Sequence, residues 1–463
     1  MSKVKAPVVK NEVYEMMVDD IGVNGEGIGK VEGYTLFVDG GLPGETVLTK
    51  VVKVGKNFGF GKLESIQVPS PDRVIPICKV ASQCGGCQLQ HLSYEGQLKF
   101  KQNKVDQLIK RIGKLSDIQV EPVIGMDEPY YYRNKVQYPV RQEGGRVKIG
   151  FYAKRSHRIV ETDICYIQDQ RNEEVKALIL DWMTQNGISA YNEETHKGFL
   201  RHIVTRHAHS TKLMHVTLVI NGRRLKASEG LIARLTKLDY ISGISVNINK
   251  EITNVIMGEQ LLHVYGDTHI EDTIDDVKFH ISPLSFFQVN PVQTEKLYAK
   301  VIEFADLTGE ETVMDIFCGI GSISLLLAKK AKKVIGVEVV EAAVEDALHN
   351  ADINGINNVE FYTGKAEEVI PRLHDELKMR ADVIVVDPPR KGCEEVLLEA
   401  MVKINPKRIV YVSCDPSTLA RDLKYLSEKG YKVDQVQPVD MFPQSVHVET
   451  VCLLSRKIKG LSD

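Results

Sequence analysis

Cysteine is scarce in this chain, long apolar runs are missing, and neither sign of charge is in excess. Eight cysteines in 463 residues are too few for a disulfide scaffold; in a reducing compartment, clustered cysteines more often bind metal or do chemistry. No stretch approaches the ~20 apolar residues that span a bilayer, and Met1–Lys10 lacks the apolar core of a secretory signal. A cytoplasmic protein without membrane contact is expected. Lysine and arginine total 59 against 62 acids, a net charge of −3, so the molecule lacks the basic excess usual in nucleic-acid binders. Local patches still decide binding. Lys99, Lys101, Lys104, Lys110, Arg111 and Lys114 form one basic stretch, readable as an RNA contact or as a solvated helix face.

The length corresponds to about three domains. Residues 1–67 alternate short Val/Ile/Phe runs with glycine punctuation, the pattern of a small barrel or sandwich. Pro69 and Pro71 mark a linker. A helix is expected near 92–113, where Leu98, Val105, Leu108, Ile109 and Ile112 recur at helical spacing and leave the basic residues outside. Residues 117–278 are mixed, with strand-like runs such as Lys148–Tyr152 and Leu213–Ile220. From about 294 the strand-like runs Thr312–Phe317, Lys333–Glu338, Val383–Asp387 and Arg408–Ser413 alternate with helical ones: Gly321–Lys330, Val340–Asn354, Glu394–Val402 and Ser417–Lys429. Such alternation means an α/β domain with a parallel sheet. Lys432–Gln437 and His447–Leu454 read as two closing strands, an antiparallel addition at the sheet edge.

Asp315-Ile-Phe317-Cys-Gly319-Ile-Gly321 falls where a strand hands over to a helix, and Glu338 ends the next strand. Glycines there permit a tight turn and close approach of a ligand, and an acid about 20 residues on reaches a ribose. The third glycine of the dinucleotide fingerprint is missing, which disfavours NAD. The set resembles the first two motifs of class I S-adenosylmethionine methyltransferases, which implies a Rossmann-like domain and makes Phe317, Gly319, Gly321 and Glu338 cofactor contacts.

Asp387-Pro-Pro-Arg390-Lys-Gly392 follows a later strand, and Ser413-Cys414-Asp415-Pro416 ends the next. Strand ends of such sheets face the ligand crevice. The last hairpin carries Phe442-Pro443-Gln444-Ser445-Val446-His447-Val448-Glu449. With these motifs the chain resembles the RNA 5-methyluridine methyltransferase family, most closely its 23S ribosomal RNA branch, which adds an amino-terminal TRAM domain and an iron–sulfur cysteine set. The resemblance implies Cys414 as nucleophile and Glu449 as base, with His447 outside the chemistry and Cys318 and Cys393 structural. It implies Gln288 beside the cofactor, and Phe286, Arg133 and Lys135 near the target nucleotide; Asp387, facing the crevice, is a candidate contact for the cofactor, the uracil or both. Phe286 and Phe287 also suit a plain core, and Arg133-Asn134-Lys135 a solvated turn. The chemistry explains the residue types. Uracil carbon 5 is too weak a nucleophile to take a methyl group unaided. A thiolate added at carbon 6 makes carbon 5 carbanion-like, and a base must then remove the carbon-5 proton. The uridine must leave its stack to be reached.

Cys78-x5-Cys84-Gly85-Gly86-Cys87 and the distant Cys165 form a four-thiol set. The ligands alone allow zinc or an iron–sulfur cluster; the family resemblance selects [4Fe–4S]. The expected layout is a TRAM domain over 1–67, related to oligonucleotide-binding barrels, with Tyr34, Phe58 and Phe60 available to stack on bases or to fill the barrel. A central α+β domain with the cluster takes 68–91 and 116–278, and the catalytic domain takes 92–115 and 279–463. The partner expected is 23S ribosomal RNA, with no protein partner. A transfer-RNA methyltransferase, a methyltransferase acting on amino groups and an inert RNA-binding assembly factor are the competing readings.

Overall fold

The computed structural model describes residues 6–376 and 378–457. Five strands, β1 (Val13–Ile21), β2 (Glu26–Val31), β3 (Tyr34–Asp39), β4 (Thr46–Val54) and β5 (Phe58–Val68), close into a barrel in the order β1-β2-β3-β5-β4. Alternation along each strand sends Leu36, Val38, Val47 and Val51 inward. Gly29 is required where β1 and β2 pack: an added Cβ would meet the Met17 carbonyl oxygen at 2.2 Å. Tyr34 is buried and its hydroxyl donates to the Gly55 carbonyl at 3.0 Å, so it fills the barrel. Phe58 is exposed and packs edge-on against Phe37 and Phe60 outside it.

Helix α1 (Tyr94–Arg111), capped by the Ser93 hydroxyl, buries Val105 and Ile109 in the core of the last domain. The expectation that its basic residues all face water is wrong for Lys101. That side chain is fully buried against Asp440, because the loop holding Asp440 lies over this face of the helix.

A central sheet follows, built from β6 (Lys135–Glu143), β7 (Arg146–Ile149), β10 (Leu200–His207), β11 (Met214–Ile220), β12 (Ile241–Ile248) and β13 (Gln260–Gly266), in the order β13-β12-β11-β10-β6-β7. A two-stranded piece, β8 (Phe151–Tyr152) with β9 (Ile159–Val160), stands beside it. Helices α2 (Asn172–Gln185) and α3 (Ser228–Leu235) bury Ile179, Trp182, Leu231 and Leu235 against Tyr138, Leu200, Ile203 and Val216.

The hairpin β14 (Ile270–Ile274) and β15 (Val277–Ile281) packs Ile274 and Phe279 onto α4 (Pro291–Ala305). A domain boundary at 278/279 would therefore cut a hairpin that sits on the catalytic side. Beyond it come β16 (Thr312–Ile316), α5 (Ser322–Ala328), β17 (Lys333–Glu338), α6 (Glu341–Ile353), β18 (Val359–Thr363), α7 (Ala366–Asp375), β19 (Val383–Val386), α8 (Glu395–Ile404), β20 (Arg408–Ser413), α9 (Pro416–Glu428), β21 (Tyr431–Val439) and β22 (Glu449–Arg456). The sheet order is β18-β17-β16-β19-β20-β22-β21, parallel except for β22, which slots antiparallel between β20 and β21. Strands β16, β19 and β20 are near-continuous apolar runs because helices cover both faces. Val120 and Ile124 form parallel bridges to Val436 and Val439. This stretch, assigned from sequence to the central domain, extends the catalytic sheet. No helix among the described residues is long and apolar enough to cross a membrane.

Candidate active site

The order of the seven strands reverses between β16 and β19, and ligands bind beyond the carboxyl ends at such a switch point. Five candidate segments meet there. The turn after β16 holds Phe317 (φ 67°), Gly319 (φ 55°) and Gly321 (φ 81°) in the left-handed region. Glycine suits it; Phe317 adopts it with its ring partly packed in the core. Glu338 braces this turn, its carboxylate accepting from Gly319 N at 3.1 Å and Val340 N at 2.9 Å. Asp387 follows β19, with its amide donating to the Ile316 carbonyl at 3.3 Å.

Sheet register brings the two expected catalytic residues together. Ser413 pairs with Thr450 across β20 and β22, and continuing the antiparallel ladder by one residue sets Cys414 opposite Glu449. The antiparallel strand starts at the rim where its parallel neighbours end. Cys414 is partly accessible, whereas Glu449 is 4 % exposed.

The site holds more negative charge than it neutralises. Burial pushes the Asp387 carboxyl up to about 6. Burial, then repulsion from Asp387 and Glu338, pushes Asp315 to about 7 against its bond from Ser324. Burial and Asp387 push Glu449 to about 8, opposed by Arg390. The Cys414 thiol is raised to about 11 by burial, Glu449 and Asp387, again with Arg390 opposing. Burial, with the charges of Asp387, Asp315 and Glu449, raises the Tyr298 phenol against its hydrogen bond with Ser322. One buried Asp315 oxygen has no hydrogen-bond partner. An acidic strand-end rim of this kind suits a cationic ligand, and S-adenosylmethionine, with its sulfonium and ammonium, fits the donor set.

Two networks hold the rim. The first joins α9 to the Asp387–Cys393 loop. Asp422 accepts from Cys393 N at 2.9 Å and from the Tyr411 hydroxyl at 2.6 Å. Arg421 donates to the Lys391 and Cys393 carbonyls, and Thr418 to that of Arg390. Gly392 (φ 74°) fits there because an added Cβ would lie 2.6 Å from both Arg421 and Asp422. The second network holds the loop leading to Glu449. Buried Asp440 accepts from Lys101 and from the Tyr94 hydroxyl, and Lys101 also donates to the Phe442 carbonyl. Gln97 accepts from Gln444 N at 2.9 Å, and Gln444 (φ 69°) is held in a left-handed turn.

The remaining candidates other than Gln288 line a cavity of about 420 Å³: Cys78, Cys84, Cys87, Cys165, Arg133, Lys135 and Phe286. All four thiols are free, and burial followed by the other thiols pushes Cys87 up to about 12. The donor set fits a thiolate-bound metal centre, but the side chains are not gathered to coordination distance: no group of three or more candidate ligands is close enough among the described residues. Phe286 is 71 % exposed while Phe287 is core. Gln288 is buried, and its carbonyl accepts from Asn134 at 3.0 Å. Cys318 and Cys393 are buried.

A family described as tRNA (uracil-5-)-methyltransferase matches residues 93–457, and the TRAM domain matches 7–63. The chain belongs to the RNA uracil-5-methyltransferase family. It is 51 % identical over 453 residues to an uncharacterised RNA methyltransferase of Clostridium acetobutylicum, covering 97 % of this chain and 98 % of that one. It is 49 % identical over 458 residues to another of Halalkalibacterium halodurans, covering 99 % and 100 %. Among solved structures it is similar to a Pyrococcus abyssi tRNA (uracil-54, C5)-methyltransferase in complex with S-adenosyl-L-homocysteine, with a TM-score of 0.77, 29 % identity and coverage of 95 % and 99 %. The protein is thus an S-adenosylmethionine-dependent RNA methyltransferase.

Sequence reasoning missed several residues that this methyltransferase sets around its site. Tyr298, Lys101, Asp440, Arg421 and Asp422 carry no local motif. Only Lys101 left a trace: it falls on the apolar side of the α1 period, where a lysine needs a partner.

Proposed function

We propose that the protein methylates carbon 5 of a uridine in 23S ribosomal RNA, with Cys414 as nucleophile and Glu449 as base. The register that sets these two side by side at the rim shared with Asp387 and the Gly319 turn carries the reading. The Cys414 thiol gives up its proton to solvent, its sulfur adds to carbon 6, and the electron pair moves toward carbon 5 and the carbonyl at carbon 4. The bound cofactor supplies an electrophilic methyl group on its sulfonium. Once carbon 5 carries that methyl, Glu449 removes its proton, the carbon–sulfur bond breaks and the thiolate leaves. Glu449 must be ionised for this, and the positive charge of Arg390 opposes the raised proton affinity of both groups. Asp387, Gln288, Phe317, Gly319, Gly321 and Glu338 would hold the cofactor. Phe286, Arg133 and Lys135 would meet the RNA, and Cys78, Cys84, Cys87 and Cys165 would hold a [4Fe–4S] cluster joining distant segments. The domain layout proposed is the TRAM barrel, the central domain and the catalytic domain, in a cytoplasmic protein.

Replacing Cys414 by Ala should abolish turnover and any covalent RNA adduct while leaving cofactor binding intact; surviving activity would overturn the mechanism. A second reading, transfer RNA as substrate, is favoured by the similarity to the archaeal tRNA enzyme over 95 % of this chain. Mapping 5-methyluridine in ribosomal and transfer RNA from cells lacking the protein separates the two.

A further inference from the structure

The cysteine set and Glu449 are far apart in sequence, yet two cysteine-bearing segments hold the loop that delivers Glu449. Residues 440–448 join β21 to β22 without helix or strand, so their path is set by what their buried peptide groups bond to. Three consecutive carbonyls are held from outside the loop. Lys101 Nζ donates to that of Phe442 at 3.0 Å and the Tyr132 hydroxyl to that of Pro443 at 3.0 Å. The amides of Gln88 and Leu89 both donate to that of Gln444 at 3.0 Å. These last two donors directly follow Cys87 in the chain. The Gln88 side chain also donates to the Gly85 carbonyl at 2.8 Å, which ties the donor peptide back into the Cys84–Cys87 turn. Tyr132 belongs to the Cys165 side. Its neighbours Tyr131 and Arg133 donate their amides to the Tyr166 and Ile167 carbonyls at 2.8 and 2.9 Å. Cys87, Tyr132 and Ile167 are buried in one apolar cluster, and Cys165 packs against it.

Gln444 is the point at which these holds act. Its φ of 69° is left-handed, a conformation that a non-glycine residue keeps only when its surroundings over-determine it. They do so here. Besides the two bonds to its carbonyl, its amide donates to Gln97 Oε1 at 2.9 Å and its side-chain oxygen accepts from Gln97 Nε2 at 3.0 Å. Released from its donors, Gln444 would relax toward ordinary φ and redirect the chain that enters β22 at Glu449. A displacement of about 1 Å is enough to slow a positioned catalytic group severely. We propose that the segments carrying Cys87 and Cys165 position the base: through Gln88, Leu89 and Tyr132, metal loading of the four thiols fixes the path of residues 443–449 and with it proton removal from carbon 5. Tyr132 and the Gln88–Leu89 peptide are positioning residues. Their release stalls the reaction after methyl transfer and leaves cofactor binding intact. The proposal rests on Glu449 being the base and on the thiols holding a metal.

The test compares three forms of the full-length protein: wild type with its metal, Tyr132→Phe with its metal, and wild type stripped by oxidant and chelator and returned to reducing buffer. Hydrogen exchange reads the amides of residues 444–447. Denaturing electrophoresis reads the methylated adduct formed with total RNA from cells lacking the protein. Tyr132→Phe keeps the ring and removes one donor. Its loop amides should exchange about two- to tenfold faster. Its kcat should fall about tenfold while kcat/KM for RNA and the affinity for S-adenosylmethionine hold, because the steps up to methyl transfer are untouched. The adduct should accumulate. The stripped protein should show the same pattern, enlarged. Unchanged exchange and no extra adduct in the altered forms overturn the proposal, as does a Tyr132→Phe protein that only melts lower. Loss of cofactor affinity together with turnover on stripping also overturns it, by making the centre a general scaffold. Should Tyr132→Phe fail to fold, the stripped protein carries the same expectations; should the protein be isolated without metal, the metal dependence falls and Tyr132→Phe still tests the positioning. If Glu449→Gln traps no adduct, the base assignment fails, and the exchange readout decides the coupling by itself.

Discussion

As the proposed base, Glu449 carries a conflict between folding and chemistry. It is buried among other acids and holds its proton up to about pH 8, yet a base must be ionised to act. Its folded-state value lies above that of the unfolded chain. The stability it brings is therefore fully present below about pH 4.5 and is lost as pH rises through about 8. Glutamine mimics the protonated form at every pH. The Glu449→Gln variant should melt with wild type at pH 5 and several degrees above it at pH 9, as calorimetry across that range would show. In turnover the same variant should accumulate a methylated RNA–protein adduct visible by denaturing electrophoresis. A normal turnover rate would remove Glu449 as the base. The initial rate of the wild type should climb with pH toward 8 as the carboxyl ionises.

Within single elements, the sequence was legible where a residue's position in the fold follows from its immediate neighbours. Cys414 and Glu449 stand in short motifs at strand ends, and their pairing follows from strand register. Lys101 was misread because its partner, Asp440, lies 339 residues away, and no local pattern reports such a distance. The same holds for Asp422, whose partners on the Asp387 loop and on β20 become neighbours only when the sheet forms. Helix α1 thus serves as a buttress for the loop before Glu449. Asp440→Asn should cost about 3–5 kcal/mol by leaving Lys101 buried without its counter-charge, measured by denaturant unfolding. Lys101→Met with Asp440→Leu should recover much of that stability, because a buried pair contributes little over apolar packing.

For the molecule as a whole, the barrel and the alternating α/β domain were readable because period-2 runs, glycine punctuation and strand–helix alternation are strong local signals. The boundaries were not. The hairpin β14–β15 and residues 120–124 join the catalytic domain through edges and packing that the linear pattern does not record. The four cysteines also belong to this scale, since Cys165 lies far from the other three in sequence and lines the same cavity only once the chain has folded. Protein purified without oxygen should be brown and contain iron in proportion to chain. A colourless product with one zinc per chain would replace the cluster with a zinc site.

The placement of β22 has a consequence for synthesis. Every other strand of its sheet leaves the ribosome first, yet β22 must enter between two of them. Until Arg456 has been made, β20 presents an unpaired apolar edge, the sort of surface that recruits other chains. A chain cut short before Glu449 should therefore be insoluble or held by chaperones rather than persist as a free, inactive cofactor binder. The proposed base and the cover for that edge arrive together, with the same eight residues.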